Sequence, residues 1–268
     1  MQRERRTRAD GTERSAVLEG DGRQPVVLLH GYPFDPGIFE PQMRALRRDA
    51  RFVAPDLLGL GASRLGPSAA PRMDDYAADV LAWMDDAGVS RAPIVGLSMG
   101  GYVAFALWRK ARERVAALVL LDTKAEADGE EAKRGRIETR DAIARGGMAA
   151  VCDGMLEKVL GQTTRGTRPD LVARIRRMIL DTDPAGAMAA SEALRERPDS
   201  GKDLATIDVP TVVVVGEEDV LTPPEFARSM AQRIAGARLV EVPRSGHVSS
   251  LEAPDAITDV LRDVLAAS

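Results

Sequence analysis

The stretch that most restricts how this chain can fold is Ala92 to Trp108, A-P-I-V-G-L-S-M-G-G-Y-V-A-F-A-L-W. Ala92 to Val95 is a short uninterrupted apolar run, the pattern of a buried strand. From about Gly100 through Trp108 the pattern is helical. Only Gly96-Leu97-Ser98-Met99-Gly100 lies between them, so the chain turns from strand to helix sharply enough to strain the residue at the tip. Side chains at the two flanking Gly positions would collide with neighbouring backbone. Such a turn holds the Ser98 hydroxyl at the end of a sheet beside a helix N-terminus. Unpaired N–H groups and positive potential there suit a developing oxyanion. G-x-S-x-G alone is a weak signal, since a Gly-rich turn with an incidental Ser reads the same. The strand before it, the helix after it and the small residues at Gly100 and Gly101 supply the context the motif needs.

The 268 residues suffice for one α/β domain with an insertion and are short for two full domains. Charged residues make up 29% and the net charge is −4, spread rather than blocked, which argues against a nucleic-acid surface. No apolar run reaches bilayer-spanning length, and Met1 to Asp10 is charged without an apolar segment, so neither a membrane partner nor a secretory signal is expected. Cys152 is the single cysteine, which rules out an intrachain disulfide and makes a cytoplasmic location the expectation. With one Cys and two His no Cys/His ligand cluster can form, and no metal is expected; a carboxylate-only site stays open.

Met1 to Arg8 is expected to be a frayed, solvated tail, followed by a weakly alternating strand or hairpin arm over Thr12 to Glu19. Pro25 to Leu29 is a buried strand ending in His30-Gly31-Tyr32-Pro33-Phe34-Asp35. There Gly31 would let backbone approach a ligand and the Tyr32 N–H would point at an oxyanion; a plain Gly/Pro turn is the competing reading. Ile38 to Arg48 has helical periodicity, with Ile38, Met43 and Leu46 on one face. Arg51 to Ala54 is a strand, leading to the Gly-rich loop Asp56 to Ser63. That loop reads as structural, because no helix follows closely and no Lys-Ser/Thr pair closes it. Asp74 to Asp86 is a helix with Tyr76, Val80, Leu81 and Met84 inward and Gly88 as its stop. Val115 to Leu121 is a buried strand ending at Asp122. From 123 to 205 no sheet-like run appears, only charged amphipathic segments broken by Gly and Pro. Strands resume at Pro210 to Val215 and Arg238 to Val242, with helices expected over Pro223 to Ile234 and Glu252 to Leu265. The division is therefore a core of 1–122 and 206–268 with a helical insertion at 123–205. Strands alternating with helices, several of them wholly apolar, predict an α/β fold with a mainly parallel sheet covered on both faces.

A serine nucleophile needs a base, and the base an orienting acid. Of the two histidines, His247 sits on a Gly-containing loop after the last strand and can hang over Ser98. His30 adjoins the Tyr32 loop and reads as its brace. Among carboxylates, Asp219 lies furthest into the loop after Val215, past Glu217 and Glu218. One helix and one strand separate it from His247, which returns the two to neighbouring loops. Asp122, ending the strand after Ser98, is the rival acid.

The chain resembles the α/β-hydrolase-fold serine hydrolases, in the branch of carboxylesterases, enol-lactone hydrolases and cofactor-free perhydrolases. The likeness rests on His30-Gly31-Tyr32-Pro33, Asp56-Leu57-Leu58-Gly59-Leu60-Gly61-Ala62-Ser63, Gly96 to Gly101, Gly216-Glu217-Glu218-Asp219 with Thr222-Pro223, and Gly246-His247. The order Ser98, Asp219, His247 is the family's. The resemblance implies a helical cap (lid) over 123–205 and a twisted, mainly parallel sheet. It implies a catalytic triad of Ser98, His247 and Asp219, and an oxyanion hole of the Tyr32 and Met99 backbone N–H groups. It implies hydrolysis of a small to medium carboxylic ester or lactone without metal or cofactor. Phe34 beside the carbonyl, and Met148 and Met155 in the cap, are the candidate pocket residues; packing between cap helices is the competing reading for the methionines. Two other uses of the same residues stay open, a perhydrolase in which peroxide replaces water and a ligand-binding signalling protein with a slow triad.

Overall fold

The computed structural model describes residues 2–267. The apolar runs predicted as strands are strands, in an eight-stranded sheet of order β1-β2-β4-β3-β5-β6-β7-β8. These are β1 (Gln2–Thr7), β2 (Glu13–Glu19), β3 (Gln24–Leu29), β4 (Ala50–Asp56), β5 (Ala92–Leu97), β6 (Val115–Leu121), β7 (Thr211–Gly216) and β8 (Arg238–Val242). From β4 to β8 every neighbouring pair is parallel; β1 and β2 join antiparallel at the β4 edge. Val27, Leu29, Leu118, Leu120, Val213 and Val215 belong to one apolar cluster. Val26, Leu28, Val119, Leu121, Val212 and Val214 belong to the other. A strand covered on both faces has no solvent side to mark with polar residues, hence the continuous apolar runs. Each such Val or Leu contributes about 1.5–3 kcal/mol by leaving water.

Helices α2 (Met73–Asp86), α3 (Met99–Ala111) and α9 (Pro224–Arg233) cover the first face. Helices α1 (Glu40–Ala45) and α11 (Pro254–Ala266) cover the second, α11 being led in by the short α10 (Ser249–Glu252). Between β6 and β7 the chain forms α4 (Glu130–Gly146), α5 (Ala149–Val159), α6 (Gln162–Thr167), α7 (Pro169–Leu180) and α8 (Pro184–Arg195), with no strand among them. α4 packs on α5 and α8, and α5 on α7. The two ends of this excursion are tied together: the Ser200 N–H donates to the Ala125 carbonyl at 2.8 Å, and buried Arg197 pairs with buried Asp128 at 2.8 Å. Among the described residues no helix is long and apolar enough to cross a membrane.

Three expectations change. Residues 2–7 are not a frayed tail but β1, paired along its length with β2 from Gln2 opposite Leu18 to Thr7 opposite Glu13; Met1 lies outside the described residues. Its side chains are mostly exposed, so it carries no apolar alternation. Main-chain bonds hold it, with Arg3 on Asp56 and Arg8 on Asp79 at 2.6 Å. The helix expected over 38–48 is shorter. A 3-10 turn at Pro36–Phe39 gives way to α1, where Pro41 has no N–H to continue the turn's bonding; Ile38, Met43 and Leu46 are buried as the periodicity predicts. In α2, Trp83 is buried where Leu81 was expected, and Leu81 packs half-buried at the edge of the core.

Candidate active site

The residues singled out in sequence leave the sheet at the carboxyl ends of parallel strands: Tyr32 after β3, Ser98 after β5, Asp122 after β6, Asp219 after β7 and His247 after β8. In a parallel sheet those ends share one edge, so separation in sequence becomes proximity in space. Ser98 stands between β5 and α3 with φ 52° and ψ −112°, a conformation L-residues rarely adopt. The turn is tight because α3 starts against β3: a Cβ on Gly100 would collide with the Leu29 carbonyl, and one on Gly96 with the backbone of Gly100. The Ser98 carbonyl accepts the Gly101 N–H at 2.9 Å and the Thr123 hydroxyl at 2.8 Å, which fixes the tip.

Ser98 Oγ lies 2.7 Å from His247 Nε2, and His247 Nδ1 lies 2.8 Å from Asp219 Oδ2. Asp219 Oδ2 also accepts the Thr222 hydroxyl at 2.7 Å, and Oδ1 accepts the Leu221 and Thr222 N–H groups at 2.9 and 3.0 Å. Burial works to raise the Asp219 carboxyl, but the His247 charge and these donors outweigh it and hold it below the usual carboxylate range. Burial works to lower His247, and the Asp219 carboxylate, with Asp122 and Glu252 behind it, raises it above the ordinary 6.5. Such an arrangement can pass a proton from the serine hydroxyl to an imidazole whose charged form a carboxylate stabilises.

Asp122, the rival acid, makes no bond to the imidazole. It accepts the Gly216 N–H (3.0 Å), the Ser249 N–H (3.1 Å) and the Ser249 hydroxyl (2.6 Å), stitching the ends of β6 and β7 to α10. Burial first, and the Asp219 charge second, push its carboxyl up to about 7. His30 is buried and braces its loop: its Nδ1 sits 3.0 Å from the Gly31 carbonyl and its Nε2 accepts the Leu57 N–H at 2.9 Å. The Ser98 N–H is committed to the Leu121 carbonyl at 2.9 Å, whereas among the described residues no acceptor takes the N–H of Tyr32 or Met99. Phe34 and Met148 are buried in the apolar cluster that α5 and α7 share with the second sheet face, and Met155 packs half-buried against it.

Residues 26–260 match the model of the Alpha/beta hydrolase family. The chain belongs to the alpha/beta hydrolase family. Its eight-stranded sheet and strand-end loops are those of an alpha/beta hydrolase, as the sequence motifs imply. Among solved structures, a thermophilic esterase from Thermogutta terrifontis is 35% identical with a TM-score of 0.93; the match covers 100% of this chain and 99% of that one. The enol-lactonase from Burkholderia xenovorans LB400 is 30% identical with a TM-score of 0.88, covering 96% and 97%. The AB hydrolase superfamily protein YisY of Bacillus subtilis (strain 168) is 30% identical over 256 residues, 90% of this chain and 91% of that protein.

Several residues at this alpha/beta hydrolase site received no role from sequence. Thr222 contacts both Asp219 and, at 3.3 Å, His247 Nδ1; its place three residues past Asp219 was the available signal. Tyr102, one helical turn beyond Ser98, lies under the Arg197 guanidinium at 4.1 Å from the ring centre. Ser249, two residues past His247, is the anchor of Asp122.

Proposed function

We propose that this alpha/beta hydrolase is a serine hydrolase that cleaves a carboxylic ester or lactone through an acyl-enzyme. The observation that carries the reading is the unbroken hydrogen-bonded series from Ser98 Oγ through His247 to Asp219, at 2.7 and 2.8 Å. His247 takes the Ser98 proton as the oxygen attacks the substrate carbonyl, and Asp219 holds the imidazole in the tautomer that leaves Nε2 able to accept. The Tyr32 and Met99 N–H groups receive the oxyanion; losing one such donor typically costs about 3 kcal/mol of barrier. His247 then gives its proton to the leaving alcohol, takes one from a water that attacks the acyl carbonyl, and returns it to Ser98 Oγ as the Ser98–acyl bond breaks and the acid departs.

Helices α4 to α8 form the cap in this reading. Phe34, Met148 and Met155 are the proposed apolar wall. An ester or lactone, rather than another acyl substrate, is favoured because two similar solved proteins are by name an esterase and an enol-lactonase. The test is labelling with a fluorophosphonate, beside p-nitrophenyl esters of increasing acyl length and a set of lactones. The expected result is labelling and multiple turnover in the wild type, with both lost in Ser98→Ala. Absence of labelling, or labelling that persists in Ser98→Ala, overturns the assignment. Labelling without turnover of any ester or lactone overturns the substrate class and directs attention to peroxide as acceptor.

A further inference from the structure

Three segments meet behind His247: its own loop, the loop carrying Asp219, and the junction of α5 with α6. The His247 N–H donates to the Val159 carbonyl at 3.1 Å. Gly246 and Gly161 pass so closely that a Cβ on either would strike backbone of the other. Glu218, directly before Asp219, accepts the Thr163 N–H at 2.8 Å and the Thr163 hydroxyl, while its own N–H donates to the Ser245 carbonyl at 2.8 Å. Residues 159–163 are therefore tied to both loops on which the proposed base and acid stand.

Glu252 sits at the centre of this meeting point. Its side chain is buried, and its carboxylate bridges two segments. Oε2 accepts the Gly161 N–H at 2.9 Å and Oε1 accepts the N–H of Val248, the residue after His247, at 3.2 Å. Among the described residues no Lys, Arg or His forms an ion pair with it. A buried carboxylate without a cation is expensive, and a neutral side chain of similar size would fill the space at lower desolvation cost. What a carboxylate adds is two strong acceptors at a fixed separation and a negative charge beside the imidazole. We propose that Glu252 is a positioning residue for His247, clamping the α5–α6 junction to the His247 loop so that the placement of the helical insertion sets the reach of the imidazole toward Ser98. This inference rests on the reading of His247 as the catalytic base.

The carboxylates whose charge acts on the His247 imidazole are Asp219 from the loop after β7, Asp122 from the end of β6, and Glu252 from α10; each, when ionised, favours the imidazolium. The β5–α3 turn contributes Ser98, and the α5–α6 junction contributes backbone. Glu252→Gln removes one carboxylate from this group and turns an N–H donor toward a backbone N–H. Glu252→Asp keeps the charge but is one methylene too short to span Gly161 and Val248.

The experiment compares wild type, Glu252→Gln, Glu252→Asp and Ser98→Ala on a p-nitrophenyl ester, recording kcat, KM and the acid limb of kcat against pH, with thermal unfolding alongside. Glu252→Gln is expected to lower kcat about tenfold with KM within about twofold, and to move the acid limb down by about half a pH unit. Glu252→Asp is expected to lower kcat similarly with the acid limb in place. If Glu252→Gln does not accumulate as folded protein, Glu252→Asp decides alone, and a wild-type kcat in it overturns the proposal. Both variants with wild-type kcat, or a loss of kcat in Glu252→Gln that follows the folded fraction with an unmoved acid limb, likewise overturns it. A wild type without turnover instead removes the hydrolase reading itself, so the two failures are distinct.

Discussion

Asp219→Asn is the sharpest perturbation of the site, because the surroundings decide which way the amide must lie. The Leu221 and Thr222 N–H groups both point at Oδ1, so the amide oxygen takes that position and the NH2 takes the position of Oδ2. There it faces His247 Nδ1 at the 2.8 Å separation the carboxylate now occupies. Two donors cannot share that line, so the imidazole takes the other tautomer, with its proton on Nε2 toward Ser98. It then cannot accept the serine proton, and the buried imidazolium loses its counter-charge, the Asp219 side chain being fully buried and that of His247 4% exposed. A tautomer error of this kind costs about 10,000-fold in kcat, or about 5.5 kcal/mol of barrier. Stability changes little, since the two backbone bonds to Oδ1 survive. Asp122→Asn is the matched control. It loses part of a three-donor cradle, costing about 1–3 kcal/mol of stability, and leaves the His247 tautomer alone, so kcat stays within about tenfold. The assay is steady-state ester hydrolysis with chemical denaturation of each variant. A greater loss of kcat in Asp122→Asn than in Asp219→Asn, or an Asp219→Asn enzyme within tenfold of wild type, removes Asp219 as the acid.

Ser98→Ala removes the proposed nucleophile without relieving the positive φ of the turn, so turnover should vanish while the unfolding temperature, read by calorimetry, moves by no more than about two degrees. A protonated His247 cannot act as base, and its pKa in the free enzyme is raised above 6.5, so kcat/KM should decline as pH falls, with a midpoint above 6.5; a flat profile from pH 5 to 8 contradicts the assignment. The same raised pKa adds stability that is fully present below pH 6.5 and lost as pH rises through the folded value, which a pH series of denaturation midpoints for wild type and His247→Ala reads directly. Arg14→Leu leaves buried Asp79 with Arg8 as its remaining guanidinium partner. It should cost about 3 kcal/mol in urea unfolding with little change in KM.

Much of this architecture was legible because buried parallel strands have no choice of pattern. Val115 to Leu121 and Val212 to Val215 must be apolar on both sides, and each then ends in a loop whose position follows from the strand. The N-terminal strand β1 was illegible for the complementary reason. An edge strand lying mostly in solvent is held by main-chain bonds common to every residue, and its Arg3 and Arg8 look like any charged tail until Asp56 and Asp79 are in place. Ser98 and its flanking glycines were readable because a collision with the Leu29 carbonyl is a constraint on residue type. The Glu252 bridge was not, because a carboxylate between two backbone N–H groups leaves no requirement on the residues that donate them.

Position along the chain does not separate the two candidate acids; their environments do. Asp122 and Asp219 both follow apolar strands at one sheet edge, and both are buried close to one imidazole. Burial opposes ionisation in each, so their difference comes from what else they touch. Asp219 meets the imidazole itself as well as three donors, and its carboxyl falls below the usual range. Asp122 meets three donors but no cation, sits in the field of Asp219, and rises to about 7. Two like charges so near one another are tolerated when one is stabilised by a partner that must become positive and the other is left to release its charge as pH falls. The division has a consequence for the reaction. When His247 becomes imidazolium, the first carboxylate supplies the contact and the second supplies field, so Asp122 should tune the acid limb of kcat while Asp219 determines whether there is a kcat to measure. In Asp122→Asn the limb should therefore shift toward lower pH by the part of the field that Asp122 still supplies as it titrates near 7, and a limb that stays in place would mean that Asp122 is already neutral when His247 takes up its proton.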